Sequence, residues 1–366
     1  QSLWARHKSD HSAGMIMGFA KRICLMSQSH RQPLIDMMKV VAAQFIFFHH
    51  AALYGPLAQA WHSETPVVAT WMADYGLMAV QVFLVVAGYL AAQTLSRQST
   101  LHPLLFISRR FERLVRPLWF VLLLTLVLTA VARPWLVGDM LPDAPEWGQL
   151  LAHVFLLQGA LGLDSLSAGV WYTAVDFQLY VIMVWLVLIA RKTQRPWLWS
   201  AMTAALTVLS AVWLNRHPEW DASGFYFFGA YGLGAMVFWA RGHAWGRQLY
   251  ACVLAGVLIA LWVDWRTRLF VATITSCFLF LGAGWQGLGE RGDAVLGRFN
   301  ETTYLFFLLN FPVLILANLI WLVLVRLSTP EVGWVLVATW ASGLLMADFL
   351  QSRLKWLSVI SWVKKY

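Results

Sequence analysis

The sequence predicts an all-α integral membrane protein with about ten transmembrane helices and both termini in the cytoplasm. Of the 366 residues, 60% are hydrophobic and 12% are charged, whereas about a quarter of the residues in a soluble domain carry a charge. Ten apolar segments have roughly the length that a bilayer-spanning helix needs. Basic residues concentrate in alternate connections between these segments, as the positive-inside rule requires.

The ten apolar segments follow one another without a long insertion, which predicts one polytopic domain over residues 31–352. Residues 1–30 and 353–366 are expected to be cytoplasmic tails. The segment Leu150–Leu161 is too short to cross a bilayer and predicts a buried or interfacial piece on the outer side. The spans are predicted near residues 37–54, 76–95, 117–132, 171–190, 197–214, 225–240, 248–263, 269–285, 303–325 and 332–350.

The orientation follows from the Lys and Arg residues. With the N-terminus inside, ten spans leave 22 of the 27 basic residues on the inner side and five on the outer side. This distribution explains the formal net charge of +9 through membrane topology, without a nucleic-acid partner. Cys24, Cys252 and Cys277 show neither paired nor metal-ligand spacing, so we expect no disulfide and no metal site.

The first span carries ionisable residues, with Asp36 and Lys39 at its start and His49 and His50 near its end. On a helix, Lys39 and His50 share a face about 16 Å apart along the axis, and Asp36 lies within about 40° of that line. His49 points elsewhere. Ionisable groups within a span are costly, which favours a functional role. Alternatively, Asp36 and Lys39 lie at the interface while His50 bonds a neighbouring helix.

Four arginines lie within eight residues at the predicted cytoplasmic entry to the third span. Arg109 and Arg113 share a helical face, as do Arg113 and Arg116, because these pairs are four and three residues apart. Guanidinium groups match phosphate oxygens well, so the arginines predict a site for an anionic ligand. The alternative is an anchor on lipid headgroups, for which one or two arginines would suffice.

The fourth span opens with the segment Trp171–Tyr180, which contains Asp176. A carboxylate about one turn inside a span needs a partner, so Asp176 is expected to meet a cation, a histidine or the substrate. The alternative is an interfacial carboxylate that reaches water within an aromatic belt.

Three other positions stand out in or beside apolar segments. Gly88 in the second span permits close helix contact. Asn310 in the ninth span is expected to hydrogen-bond across helices. The sequence does not decide whether His153, on the short outer segment, lies at the surface or in a functional site.

Taken in chain order, these motifs resemble those of the acyltransferase-3 family of bacterial integral-membrane O-acyltransferases. That family opens with Asp-Gly-Leu-Arg and has a His eleven residues after the Arg, which is similar to Asp36–Lys39 followed by His50. The family's Arg-Arg-Phe-x-Arg motif is intact at Arg109–Arg113. Lys39 in place of Arg keeps the charge but loses the planar fork.

The later motifs of the family are similar to three further segments, Val80–Tyr89, Trp171–Tyr180 and Thr303–Pro312. Asp176 replaces the first Glu of the family's Val-Glu-Glu-Gln sequence, and Asn310 replaces a His. Each motif is weak by itself, but together they span residues 36 to 312 in the family's order.

The resemblance implies transfer of an acyl group, acetyl by expectation, from cytoplasmic acyl-CoA to a hydroxyl of a cell-surface or exported glycan or another acceptor. His50 would act as general base or would carry the acyl group itself, and Asp36, Lys39 or Asp176 would orient it. The predicted location is the bacterial inner membrane, with polysaccharide-synthesis enzymes as partners and no metal. The predicted catalytic residues are His50, Asp36 and Asp176, and those predicted to bind acyl-CoA are Lys39, Arg109, Arg110 and Arg113.

The alternative function is a transporter or flippase for a polysaccharide or a lipid-linked glycan. Ten spans with buried polar groups suit that function equally well. It predicts internal repeats with broken helices in corresponding halves, and the sequence shows no such symmetry.

Overall fold

A computed structural model describes the backbone of residues 32–98, 102–136, 140–327 and 331–363, and side chains as far as residue 353. Within these ranges the chain is helical and contains no β-strand. The tail predicted over residues 1–30 lies outside the described residues, whereas the last helix continues through most of the tail predicted over 353–366. The α-helices are α1 Pro33–Leu53, α2 Gly55–Glu64, α3 Pro66–Tyr75, α4 Val80–Ser96, α5 Pro103–Ala132, α6 Trp147–Val154, α7 Val170–Lys192, α8 Pro196–Val212, α9 Gly224–Gly242, α10 Ala244–Val263, α11 Thr267–Leu281, α12 Glu290–Leu327 and α13 Val332–Val363.

Every predicted span coincides with a helix, which confirms the all-α membrane fold. By length and composition, eight helical segments among the described residues could cross a bilayer, and α1 with α2, bent by 94° at their junction, would make a ninth. The segment predicted near residues 225–240 is α9, which is not among those eight. Most of its residues are nevertheless buried, so α9 lies inside the bundle.

Helices α4 and α9 approach each other closely through glycine. A Cβ atom on Gly88 would lie 1.8 Å from the carbonyl oxygen of Tyr231, and one on Gly234 would lie 1.8 Å from that of Val85. Only a hydrogen atom fits at either position, so the two backbones are in direct contact, as small residues permit in membrane bundles. The close contact predicted for Gly88 is confirmed, and it holds Tyr231 against α4.

Helices α1, α5 and α12 run side by side in the same direction. The phenol of Tyr304 on α12 donates to the carbonyl of Leu114 on α5 at 2.9 Å. Farther along α5, Leu128 and Ala132 belong to an apolar cluster that includes Phe311 and Ile315 of α12. The contacts between α1 and α12 follow the same order along both helices: Asp36 contacts Asn300, Phe47 contacts Phe306, and Tyr54 contacts Phe311.

The end of α1 is set by a sharp turn that α12 stabilises. Gly55 has φ of +82°, a left-handed conformation that glycine adopts without steric cost. The side chain of Asn318 donates to the carbonyl of Tyr54 at 3.1 Å and accepts from the backbone N–H of Leu57 at 2.8 Å. These bonds satisfy backbone groups that the bend would otherwise leave unpaired inside the bundle.

The end of the connection between α5 and α7 enters the bundle. Ala168 packs against the small apolar cluster that includes Phe311, and Gly169 lies against the ring of Phe307. Helix α7 therefore begins within the bundle, at the level of the middle of α12. The segment Leu150–Leu161, predicted to be buried or interfacial, belongs to this connection.

His153 holds the connection in place. Its Nδ1 donates to the carbonyl of Gln149 at 2.7 Å, and its Nε2 accepts the backbone N–H of Leu166 at 3.0 Å. Burial lowers the pKa of His153 below its usual 6.5, which favours the neutral ring that this pair of bonds requires. His153 thus has a structural role.

Candidate active site

Asp176 and Arg110 form an ion pair inside the helical bundle. The Nη2 atom of Arg110 lies 2.5 Å from Oδ2 of Asp176, and their side chains are 26% and 4% exposed. The cation expected beside Asp176 is therefore Arg110, because a buried carboxylate is stable only when it is paired. Asp176 is six residues after Val170 and sixteen before Lys192, which places the pair about 9 Å from one end of α7 and about 24 Å from the other.

Tyrosines surround the ion pair. The guanidinium of Arg110 lies 5.3 Å from the ring centroid of Tyr180, within the range of a cation–π interaction. Tyr172, Tyr231 and Tyr304 interact electrostatically with Asp176 and Arg110. The sequence prediction did not include these residues. Tyr172 and Tyr180 lie four residues before and after Asp176 and could have been found by helical spacing, whereas Tyr231 and Tyr304 reach the pair only through the fold.

The start of the first span lies beside this ion pair. Lys39 interacts electrostatically with Asp36, Arg113 and Arg110, and Arg113 interacts in turn with Asp176. We call these five residues the charged cluster. It contains three cations and two carboxylates. Asp36 also accepts a hydrogen bond from the side chain of Asn300 at 2.7 Å.

The helix separates the predicted arginines into two groups. The structure extends the third span back to Pro103, so the arginines lie on the helix and not in a connection before it. Arg110 is partly buried, whereas Arg109 and Arg113 are exposed. Arg113 nevertheless interacts electrostatically with Arg110 and Asp176. Arg116 is also exposed and pairs with Glu112 one turn earlier at 2.5 Å. The predicted binding set therefore comes together only in part: Arg110 and Arg113 join Lys39, and Arg109 is not among the residues that interact with it.

The adjacent histidines have different surroundings. His49 donates from Nδ1 to the carbonyl of Met72 at 3.2 Å and so supports the packing of α1 against α3. His50 is only 4% exposed, and its Nδ1 has no hydrogen-bond partner among the described residues. Its nearest aromatic neighbours are the rings of His49 and Tyr54, with centroids 5.3 and 5.7 Å away. A buried ring nitrogen without a protein partner is available to a substrate.

The charged cluster and His50 lie at two levels of the bundle. Fourteen residues separate Asp36 from His50 on α1, a rise of about 21 Å, so Asp36 cannot hydrogen-bond the imidazole. Asp176 is paired with Arg110. The two predicted catalytic carboxylates thus lie among the cations of the charged cluster.

Asn310 differs from its prediction. It is 2% exposed, and neither Oδ1 nor Nδ2 has a partner within the described part of the chain, so the expected cross-helix hydrogen bond is not made there. Asn318, two turns farther along α12, makes such bonds instead, to Tyr54 and Leu57. Sequence alone could not distinguish these two asparagines, because both lie in the same apolar run.

The described residues contain no group of three His, Cys, Asp or Glu side chains that could hold a metal ion. The fold and the buried ionisable groups define a multi-pass membrane protein with a polar interior. The sequence profile of the family described as "Acyltransferase domain" matches residues 33–363, nearly the whole chain. The chain therefore belongs to the acyltransferase-3 family and is a membrane acyltransferase. Neither a curated protein nor a solved structure matches it significantly.

Proposed function

We propose that the protein transfers an acyl group, acetyl in the first instance, from cytoplasmic acyl-CoA to a hydroxyl of a cell-surface or exported glycan. The proposed location is the bacterial inner membrane, beside the enzymes that build the polysaccharide. Family membership supports acyl transfer. The charged cluster supports the choice of donor, and the surroundings of His50 support the choice of acceptor.

The charged cluster is the observation that carries the proposal. Lys39, Arg110 and Arg113 outnumber the two carboxylates near them, and guanidinium and ammonium groups bind phosphate through charge-assisted hydrogen bonds. The three cations of the cluster lie on the first parts of α1 and α5, which the excess of basic residues on one side of the spans predicts to be cytoplasmic. It is therefore suited to the phosphates of CoA on the side where CoA is made.

His50 lies about 16 Å farther along α1 than Lys39, a separation that the pantetheine arm of CoA would bridge. The proposed reaction starts when His50 takes the proton of the acceptor hydroxyl. The hydroxyl oxygen then attacks the thioester carbon, so that a carbon–oxygen bond forms and the carbon–sulfur bond breaks. The proton passes from His50 to the departing thiolate, and the products are an acyl ester and free CoA.

The test uses the full-length protein in lipid vesicles with radiolabelled acetyl-CoA and cell-surface glycan isolated from the producing cells. His50→Ala should lower label transfer at least about 100-fold, as loss of a general base does. His49→Ala is the matched control, because it removes the adjacent buried histidine and its bond to Met72. The control should lower the thermal midpoint but retain transfer. Near-normal transfer by His50→Ala would contradict the proposal.

The same vesicles test the transport alternative. Transporters with inverted repeats have broken helices in corresponding halves, whereas the described residues contain one sharply bent helix pair, α1 with α2. Movement of glycan across the vesicle membrane without label transfer would favour a transporter or flippase.

A further inference from the structure

His50 and Asn310 lie at one level of the bundle, between the same two contacts. The rings of Phe47 and Phe306 stack with centroids 5.6 Å apart, and those of Tyr54 and Phe311 meet at 5.3 Å. His50 lies between Phe47 and Tyr54 on α1, and Asn310 lies between the two phenylalanines on α12. By helical phase, both residues fall within about 60° of the line along which α1 and α12 meet.

Asn310 is the one of three asparagines on this side of α12 whose side chain has no partner in the described structure. Asn300 donates to Asp36, and Asn318 makes three hydrogen bonds to the turn after α1 and to its own helix. Both polar atoms of the Asn310 side chain are buried and unpaired. An unsatisfied buried polar group costs about 1–3 kcal/mol, and such costs in native proteins are typical of functional sites.

Helix α5 also carries a buried polar atom without a hydrogen-bond partner, on Thr129. Thr129 follows Leu128, which packs against the small apolar cluster that includes Phe311, and its Oγ1 has no partner in the described ranges. Thr125, one turn earlier on α5, instead donates to the carbonyl of Val121 at 2.8 Å. Three helices thus carry unpaired buried polar groups toward the end of the bundle at which α1 bends, and these groups belong to His50, Thr129 and Asn310.

The chemistry of an amide restricts what Asn310 can bind. Nδ2 only donates and Oδ1 only accepts, so an oxyanion would satisfy Nδ2 and leave Oδ1 unpaired. Hydroxyl groups both donate and accept, and a pair of neighbouring hydroxyls satisfies both atoms of the amide. The acyl acceptor is the reactant that supplies hydroxyls at the level of His50.

We infer that Asn310 binds a hydroxyl next to the one that is acylated, and that the acceptor therefore carries neighbouring hydroxyls, as a sugar does. The inference rests on the proposed function and deepens it. His50 takes the proton from the reacting hydroxyl, while Asn310 holds its neighbour without gaining or losing a proton. A site that pairs with a substrate hydroxyl discriminates strongly against analogues that lack it, because its own buried groups are then left unpaired.

The experiment compares Asn310→Leu with Asn318→Leu in the full-length protein, using the vesicle assay and the isolated cell-surface glycan. Leucine has nearly the shape of asparagine and removes both polar atoms. Asn310→Leu should keep or raise the thermal midpoint, because it removes an unpaired group. It should lower transfer about tenfold or more and place esters at more than one hydroxyl of the product. Asn318→Leu should lower the thermal midpoint, since it leaves backbone groups of the turn unpaired.

A third variant gives a rescue. Neutral histidine, like asparagine, presents one donor and one acceptor, so Asn310→His should retain most of the transfer and a single ester position. Unchanged rate and ester position in Asn310→Leu would overturn the inference, and so would a loss of thermal stability as large as that of Asn318→Leu. Absence of label transfer by the unsubstituted protein, or near-normal transfer by His50→Ala, would instead refute the proposed function.

Discussion

Replacing Asp176 by leucine would leave the guanidinium of Arg110 buried without its carboxylate. Breaking a buried ion pair by removing one partner destabilises a protein by about 3–5 kcal/mol. The side chain of Arg110 retains 26% exposure, so water can partly solvate the unpaired guanidinium. We therefore expect a loss of stability of about 3 kcal/mol, the lower limit of that range. Replacing both partners, as in Arg110→Met with Asp176→Leu, removes the buried charge as well. The free energy of unfolding of that double variant should lie within about 1 kcal/mol of the value for the parent.

The measurement is the free energy of unfolding in mixed micelles for the parent, both single variants and the double variant. Arg116→Met is the matched control, because Arg116 lies on the same helix and forms an exposed pair with Glu112 of equal length. Exposed pairs contribute little, so the control should not change stability measurably. Transfer from acetyl-CoA should stay low in the double variant despite its recovered stability, since the charged cluster has lost Arg110.

Two results would refute this reasoning. If the Asp176→Leu variant is as stable as the parent, water reaches Arg110 freely and the pair is not buried. If the double variant is no more stable than the single variant, the loss comes from packing around the tyrosines and not from the unpaired charge.

Two further predictions concern packing and pH. Gly88→Ala should lower the stability by about 1–3 kcal/mol or more through overpacking, because its Cβ would meet the carbonyl oxygen of Tyr231. The measurement is thermal unfolding, with Gly148→Ala as the control because a Cβ at Gly148 meets open space. The pKa of His153 is lowered in the folded state, so the unfolded chain binds more protons and stability should fall as the pH drops below about 6.5. His153→Gln, which keeps an uncharged acceptor for Leu166, should flatten this pH dependence of the thermal midpoint. An unchanged pH dependence would mean that another group titrates.

The fold was predictable to the extent that its signal is local. A run of apolar residues needs no distant partner to be identified as a span, and each of the ten predicted segments is a helix. The boundaries were less predictable: the third span begins fourteen residues earlier than expected because Arg110 and Arg113 remain helical and turn toward other charged groups. The bend after α1 also depends on Asn318, more than 260 residues away.

The residues of the site were also predictable only where their signal is local. Helical phase distinguished His50 from His49, and burial cost predicted that Asp176 meets a cation, a histidine or the substrate. Neither argument could identify Arg110 as that cation or exclude Arg109, since both arginines lie in one basic run. Tyr231 reaches the ion pair because Gly88 admits its helix, an arrangement that involves four helices at once.

The sequence by itself determined that this chain spans a membrane, which family it belongs to, and that the first span carries a polar face from Lys39 to His50. Those properties depend on composition, short motifs and helical phase, each of which is encoded over at most a few turns. Only the tertiary structure decided which polar groups are paired and which are left open. Asn310 and Asn318 are the same residue in the same helix, and they differ because pairing depends on the groups that neighbouring helices bring to each position.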